Sequence, residues 1–121
     1  MIYLLRSLAA VIGLLGFNTA VHAQDAKNYP ARPVRLVVPY APGGTADTIA
    51  RIVSDGLYTR LGRPVVLDTR SGANSVVGCE IVANSTPDGH TLIVVAAGFA
   101  VNPSLRKKLP YDSIRDFAPV G

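Results

Sequence analysis

Short apolar runs alternate along this chain with stretches that have the length and ends of helices. Residues 34–38, 65–67 and 91–96 are rich in valine, leucine and isoleucine, and each run has the length of a β-strand. Residues 45–61 and 76–83, which lie between these runs, are predicted to be helical. Continuous apolar strands are typical of parallel sheets covered on both faces. The pattern therefore predicts an α/β fold that starts β-α-β-α-β and becomes irregular after residue 98.

The first predicted helix carries clear signals at both ends. Thr45 is a good N-cap, and Asp47 lies in the first turn, where the helix dipole favours a negative charge. Gly62 is placed to end the helix. One apolar stripe is expected to face the sheet, formed by Ile49, Ile52, Val53, Leu57 and Leu61. In the second helix, Asn74 or Ser75 is expected to be the cap, and Cys79 is expected to be buried.

Residues 1–23 have the three-part pattern of a signal peptide. Arg6 precedes an apolar run at residues 8–17, and Val21 and Ala23 are small residues ahead of a cleavage point after Ala23. An uncleaved membrane anchor or a buried helix is the alternative. Cleavage predicts a periplasmic protein with an extended leader at residues 24–33, followed by an α/β domain at residues 34–121.

Composition excludes several classes of protein. The 121 residues are 49% apolar and 17% charged, which argues against disorder. The chain has twelve basic and eight acidic residues, but only residues 106–108 form a basic cluster. Nucleic-acid binders concentrate their positive charge on one face, so no nucleic-acid partner is expected.

Candidate binding residues follow the strands, at the edge where open α/β sheets bind ligands. The loops at residues 39–45, 69–75 and 96–101 are rich in small residues, which let a ligand approach the backbone. Gly43, Gly44 and Thr45 open a helix directly after a strand and are the best candidates for an anion site. The alternative is that Gly43 and Gly44 only form a tight turn.

Other chemistry finds little support in the sequence. Residues 43–45 lack the lysine of a phosphate-binding loop and the spacing of a dinucleotide fingerprint. His90 lies at the start of a predicted strand and is interpreted as structural or exposed. No nucleophile elbow and no metal-ligand spacing is present. No catalytic residue, metal or cofactor is therefore predicted.

Six segments in order resemble one family. They are YPARPVRLVVP at 29–39, PGGTAD at 42–47, LGRPVV at 61–66, PDGHTL at 87–92, NPSL at 102–105 with KLPYD at 108–112, and DFAPV at 116–120. Together they resemble the Bug-type extracytoplasmic solute receptors, which are the substrate-binding proteins of tripartite tricarboxylate transporters.

The resemblance implies a type II periplasmic-binding-protein fold with two α/β domains and a cleft between them. It implies a small carboxylate ligand (tricarboxylate, dicarboxylate or related organic acid) and membrane transporter subunits as partners. Ligand-binding residues expected from the resemblance and the loops are Tyr40, Gly43, Gly44, Thr45, Asp47, Asn74, Ser75 and Gly98. The family usually has RPGAGG where residues 70–75 read RSGANS, so two glycines are replaced by Asn74 and Ser75.

The resemblance ends inside the first domain of such a receptor. We therefore expect an N-terminal fragment that lacks the second domain and, with one cleft wall, binds its ligand weakly. Two alternatives remain at this point. One is a small periplasmic anion-binding module complete in itself, and the other is a periplasmic hydrolase with His90 as its base.

Overall fold

A three-stranded parallel sheet with helices on both faces forms the centre of the molecule. The computed structural model describes residues 28–120, so the predicted signal peptide and the first residues of the leader lie outside the described residues. The elements run in the order β1 (Val34–Val38), α1 (Thr45–Leu61), β2 (Val65–Thr69), α2 (Val76–Ala83), β3 (Thr91–Ile93) and α3 (Ala97–Leu105). None of the described helices is long and apolar enough to cross a membrane.

The central strand is β1, which pairs in parallel with β2 on one side and β3 on the other. Leu36 lies opposite Leu67 in one neighbour and Leu92 in the other. This register puts apolar residues side by side on one face of the sheet. The predicted parallel α/β arrangement is confirmed.

Each face of the sheet has its own hydrophobic core. Helix α1 packs on one face, where Leu36, Val38 and Ala50 are buried. Helices α2 and α3 lie on the other, around Val76, Cys79 and Tyr111, with Phe99 and Phe117 packed edge-on against each other. Cys79 is fully buried as predicted, and burial raises the pKa of its thiol.

The face that α1 turns toward the sheet differs from the predicted one. Its buried residues are Asp47, Ala50 and Ser54, which recur at helical spacing. Ile49, Ile52 and Val53 of the expected apolar stripe are exposed, Ile52 by 68%. Small residues let the helix approach the sheet closely, and Ser54 satisfies its hydroxyl by donating to the Val65 carbonyl oxygen at 3.1 Å. The prediction that Ile49, Ile52 and Val53 face the sheet was therefore wrong.

The ends of the predicted elements also shift. Strand β2 continues to Thr69, whereas β3 ends at Ile93 rather than at residue 96. The segment expected to be irregular after residue 98 is helix α3, which includes Pro103 in its last turns. The N-cap of α1 is Gly44 rather than Thr45, which is the first helical residue. Gly62 ends α1 in the left-handed conformation, as predicted.

His90 lies at the amino-terminal edge of the sheet and is buried, with 7% of its surface exposed. Its ring packs edge-on against Tyr29 at a centroid distance of 5.0 Å, and its backbone N–H donates to Asp88 Oδ1 at 3.0 Å. That N–H, with the Arg32 guanidinium, lowers the pKa of Asp88 to about 2. This arrangement agrees with the structural interpretation of His90.

Close contact between α2 and β1 depends on Gly78. A Cβ atom at this position would lie 2.6 Å from Pro39 Cβ, which is closer than a Cβ atom can approach, and 3.2 Å from the Arg70 carbonyl oxygen, which is a tight contact. The first turns of α2 can therefore lie directly against the end of β1 only because residue 78 has no side chain.

Gly78→Ala is expected to lower the free energy of unfolding by about 1–3 kcal/mol, because the methyl group overpacks a close helix–strand contact. Gly56→Ala is the matched control. Its Cβ would meet nothing within 4 Å in the exposed middle of α1, so it should raise stability by about 0.5–1 kcal/mol. Urea unfolding measures both, and equal effects of the two substitutions would contradict the close contact.

Candidate functional site

The ends of β1 and β2 and the start of α3 meet at the carboxyl edge of the sheet. The Arg70 N–H donates to the Val38 carbonyl oxygen at 2.9 Å, which ties the segment after β2 to the end of β1. The Ala96 N–H donates to the Tyr40 hydroxyl at 2.8 Å, which ties the start of α3 to the segment after β1. All of the predicted binding segments are thus brought to one edge.

Three helices begin at this edge, one after each strand. The N–H groups in the first turn of an α-helix have no partner within the helix, and the helix dipole makes this end positive. Gly44, the N-cap of α1, has no side chain to compete for these donors. Gly43 has φ +80°, a conformation that glycine adopts without strain. The arrangement can donate hydrogen bonds to an anion at several points.

Asp47 holds the Gly43 segment in place. Its carboxylate accepts from the Gly43 N–H at 3.0 Å and from Arg51 Nε at 3.2 Å, and the residue is only 4% exposed. The Gly43 N–H, with help from Arg51, holds the pKa of this carboxyl below its usual value. The structure therefore places Asp47 behind the turn, where it positions backbone donors.

The segment between β2 and α2 has an unusual backbone. Ala73, Asn74 and Ser75 have φ values of 49°, 55° and 74°, so three consecutive non-glycine residues are left-handed. Such residues carry strain, least for asparagine, and persist only where the surrounding structure enforces them. Ser75, one of the two expected caps, occupies the N-cap position of α2. Its side chain is buried and makes no capping hydrogen bond.

Asn102, in α3, enforces this backbone. It is 1% exposed, and its Nδ2 donates to the Asn74 carbonyl oxygen at 2.8 Å. In return, Asn74 Nδ2 donates to Asn102 Oδ1 at 3.1 Å. The sequence indicated Asn102 only as part of a matching segment, because Asn102 and Asn74 are 28 positions apart.

The remaining predicted residues surround this pair. Gly98, in the first turn of α3, lies against the Asn74 side chain: a Cβ at position 98 would be 2.9 Å from Asn74 Oδ1. Arg106, the first residue of the basic cluster, donates to the Ala73 carbonyl oxygen at 2.9 Å and brings positive charge beside the turn. Residues 28–120 contain no group of three acidic, histidine or cysteine side chains that a metal ion could bridge.

Comparison with known proteins identifies the family. The model of the tripartite tricarboxylate transporter family receptor matches residues 49–121, which is more than half of the chain. The chain belongs to this receptor family. BugT of Bordetella pertussis is 40% identical to it over 116 residues, covering 93% of this chain and 36% of BugT.

Solved structures of similar proteins are periplasmic binding proteins, which agrees with the expected α/β start of such a fold. The periplasmic binding protein BugD matches 77% of this chain and 31% of its own, with a TM-score of 0.73 and 40% identity. MatC from Rhodopseudomonas palustris, with bound malate, has a TM-score of 0.65 and 38% identity over 76% of this chain and 32% of MatC. Rpa4515 of R. palustris, solved with adipate, has a TM-score of 0.67 and 35% identity over 70% of this chain and 29% of its own. The chain thus spans about a third of the length of the relatives that it matches.

Asp47→Asn is expected to lower the melting temperature at neutral pH, because the amide binds the Gly43 N–H and Arg51 less strongly than a carboxylate. The folded-state pKa lies below the usual 3.8, so this stabilisation is complete above that value and is lost as the pH falls through the folded pKa. The gap between the two proteins should therefore close in strong acid.

Asp55→Asn, an exposed position on the same helix, is the control and should change the melting temperature little. Thermal unfolding followed by circular dichroism measures all three proteins. A gap between wild type and Asp47→Asn that is the same at neutral and strongly acidic pH would show that the carboxylate does not hold the turn.

Proposed function

We propose that this chain forms one wall of a periplasmic receptor that captures a small organic carboxylate for a tripartite transporter. The observation that carries the proposal is the meeting of three helix N-termini at one edge of a parallel sheet in a member of this receptor family. A carboxylate suits this edge because the available groups are backbone N–H donors in a positive field.

The proposed contacts divide into direct and supporting ones. The backbone N–H groups of Gly44, Thr45 and Gly98 are the proposed donors to the ligand. Tyr40 can still donate its hydroxyl proton while its oxygen accepts from Ala96. Asp47 and Ser75 are buried and act through the backbone that they position. The malate and adipate bound to the two R. palustris relatives support the carboxylate class.

The wider setting follows from the same family. We infer export to the periplasm through the signal peptide at residues 1–23, and delivery of an unchanged ligand to membrane subunits. A hydrolase with His90 as its base receives no support, because His90 lies at the sheet edge opposite these loops. A receptor wall uses position and charge rather than a reacting side chain.

Binding is tested by titrating the isotopically labelled chain with di- and tricarboxylates while its amide resonances are followed. One wall of a cleft is expected to bind with a Kd of about 1 mM or weaker, which this method detects. The resonances of Gly43, Gly44, Thr45 and Gly98 should move together with the same Kd. Shifts scattered over the surface, or none at these residues, would overturn the proposal.

Thr45→Pro is expected to weaken carboxylate binding about tenfold, because it removes one charge-assisted backbone donor. Proline fits the first position of a helix, and the extended ψ of 174° at Gly44 suits a residue before proline. Thr45→Ala keeps the N–H and should lose clearly less affinity. Equal losses in the two variants would mean that the hydroxyl, and not the backbone, makes the contact.

A further inference from the structure

The two asparagines at the site fix each other's orientation. Asn102 Nδ2 must donate to the Asn74 carbonyl oxygen, which cannot itself donate, so Asn102 presents Oδ1 as an acceptor. Asn74 must therefore turn its Nδ2 toward Asn102, at 3.1 Å. The orientation of both amides follows from this exchange, which leaves Asn74 Oδ1 on the side away from Asn102.

Asn74 Oδ1 is left as an acceptor without a partner. Among residues 28–120, no group donates a hydrogen bond to it, and Asn74 is an exposed residue although its backbone is anchored. A carboxamide oxygen at an exposed position is solvated by water in the free protein. It can exchange that water for a donor on a ligand.

This oxygen lies beside the first turn of α3. The Cβ direction of a helical residue tilts toward the helix N-terminus, and a Cβ on Gly98 would come within 2.9 Å of Asn74 Oδ1. The carboxamide therefore lies against α3 at Gly98, whose backbone N–H is one of the donors that the proposed function assigns to the ligand. It adds one acceptor to an edge otherwise composed of donors.

We propose that Asn74 selects carboxylates that carry a hydrogen-bond donor, either a hydroxyl or an ammonium group, near the carboxylate. The ligand oxygens bind the helix N-termini while its hydroxyl or ammonium group donates to Asn74 Oδ1. The proposal rests on the proposed carboxylate site and names the substrate class within it. An acid of the same skeleton that lacks this donor gives Asn74 Oδ1 no hydrogen bond. The oxygen then either keeps its water or loses it without gaining another donor.

Matched pairs of acids test the selection, since each pair differs by one hydroxyl group. The pairs are malate with succinate and citrate with tricarballylate, and the Kd of each for the 121-residue chain is measured by amide resonance titration. The hydroxylated acid is expected to bind about fivefold more tightly in each pair, the effect of one exposed hydrogen bond.

Asn74→Gly should reduce this ratio to near one. Glycine accepts the φ of 55°, and Asn102 can still bind the residue 74 carbonyl oxygen, so the turn is kept. Asn84→Gly is the control, because Asn84 lies at the opposite end of α2 and its side chain donates to the Glu80 carbonyl oxygen. It should keep the wild-type ratio.

The outcomes separate this inference from the proposed function. Equal binding of both acids by the wild-type chain, or a preference that survives Asn74→Gly, would overturn the role of Asn74 and leave the carboxylate site intact. A wild-type chain that binds none of the four acids would overturn both. A preference present in the wild type and in Asn84→Gly, and lost in Asn74→Gly, supports the inference.

Discussion

The parallel pairing of β1 with both of its neighbours is the constraint on which the rest of the structure depends. It brings the three carboxyl ends to one edge, and each strand then leads into a helix that starts there. The positive end of each helix dipole is consequently placed by sheet topology rather than by any single side chain. Gly78 completes the arrangement, because it lets α2 lie against Pro39 at the end of β1.

Side chains near the edge mostly hold the backbone in position. Asp47 holds the Gly43 turn, Tyr40 receives the Ala96 N–H, and Asn102 fixes the left-handed segment before α2. Each is a polar group that ties one loop to another. These contacts fix the backbone donors at this edge, so that the proposed ligand would bind with little reorganisation of the protein.

Local signals predicted the strands, α1 and α2 well, because valine-rich runs and the Gly62 stop act over a few residues. They could not show which side of α1 is covered, since Ile52 and Ala50 are equally compatible with a helix and only the sheet selects between them. Helix α3 was missed because Gly98 and Pro103 read as helix breakers. Tertiary contacts made through Asn74 outweigh that local preference.

The candidate site was predicted as a set of loops but not as a geometry. Small residues after strands identified Gly43, Gly44 and Gly98, and the order of elements placed them at one edge. The left-handed run at residues 73–75 and its anchor on Asn102 depend on contacts across 28 positions, which no local pattern carries. For the same reason, the sequence indicated Asp47 as a binding residue without showing that it acts behind the turn.

Asn102 anchors the turn through a main-chain oxygen, and this has an evolutionary consequence. The bond from Asn102 to the carbonyl of residue 74 does not depend on which side chain that residue carries. A residue that tolerates the left-handed conformation can replace Asn74 and keep this main-chain bond, but Asn102 Oδ1 then loses the Asn74 side chain as its donor. On the proposed role of Asn74, architecture and ligand preference are uncoupled at this position, so that selectivity can diverge between descendants while the scaffold stays the same.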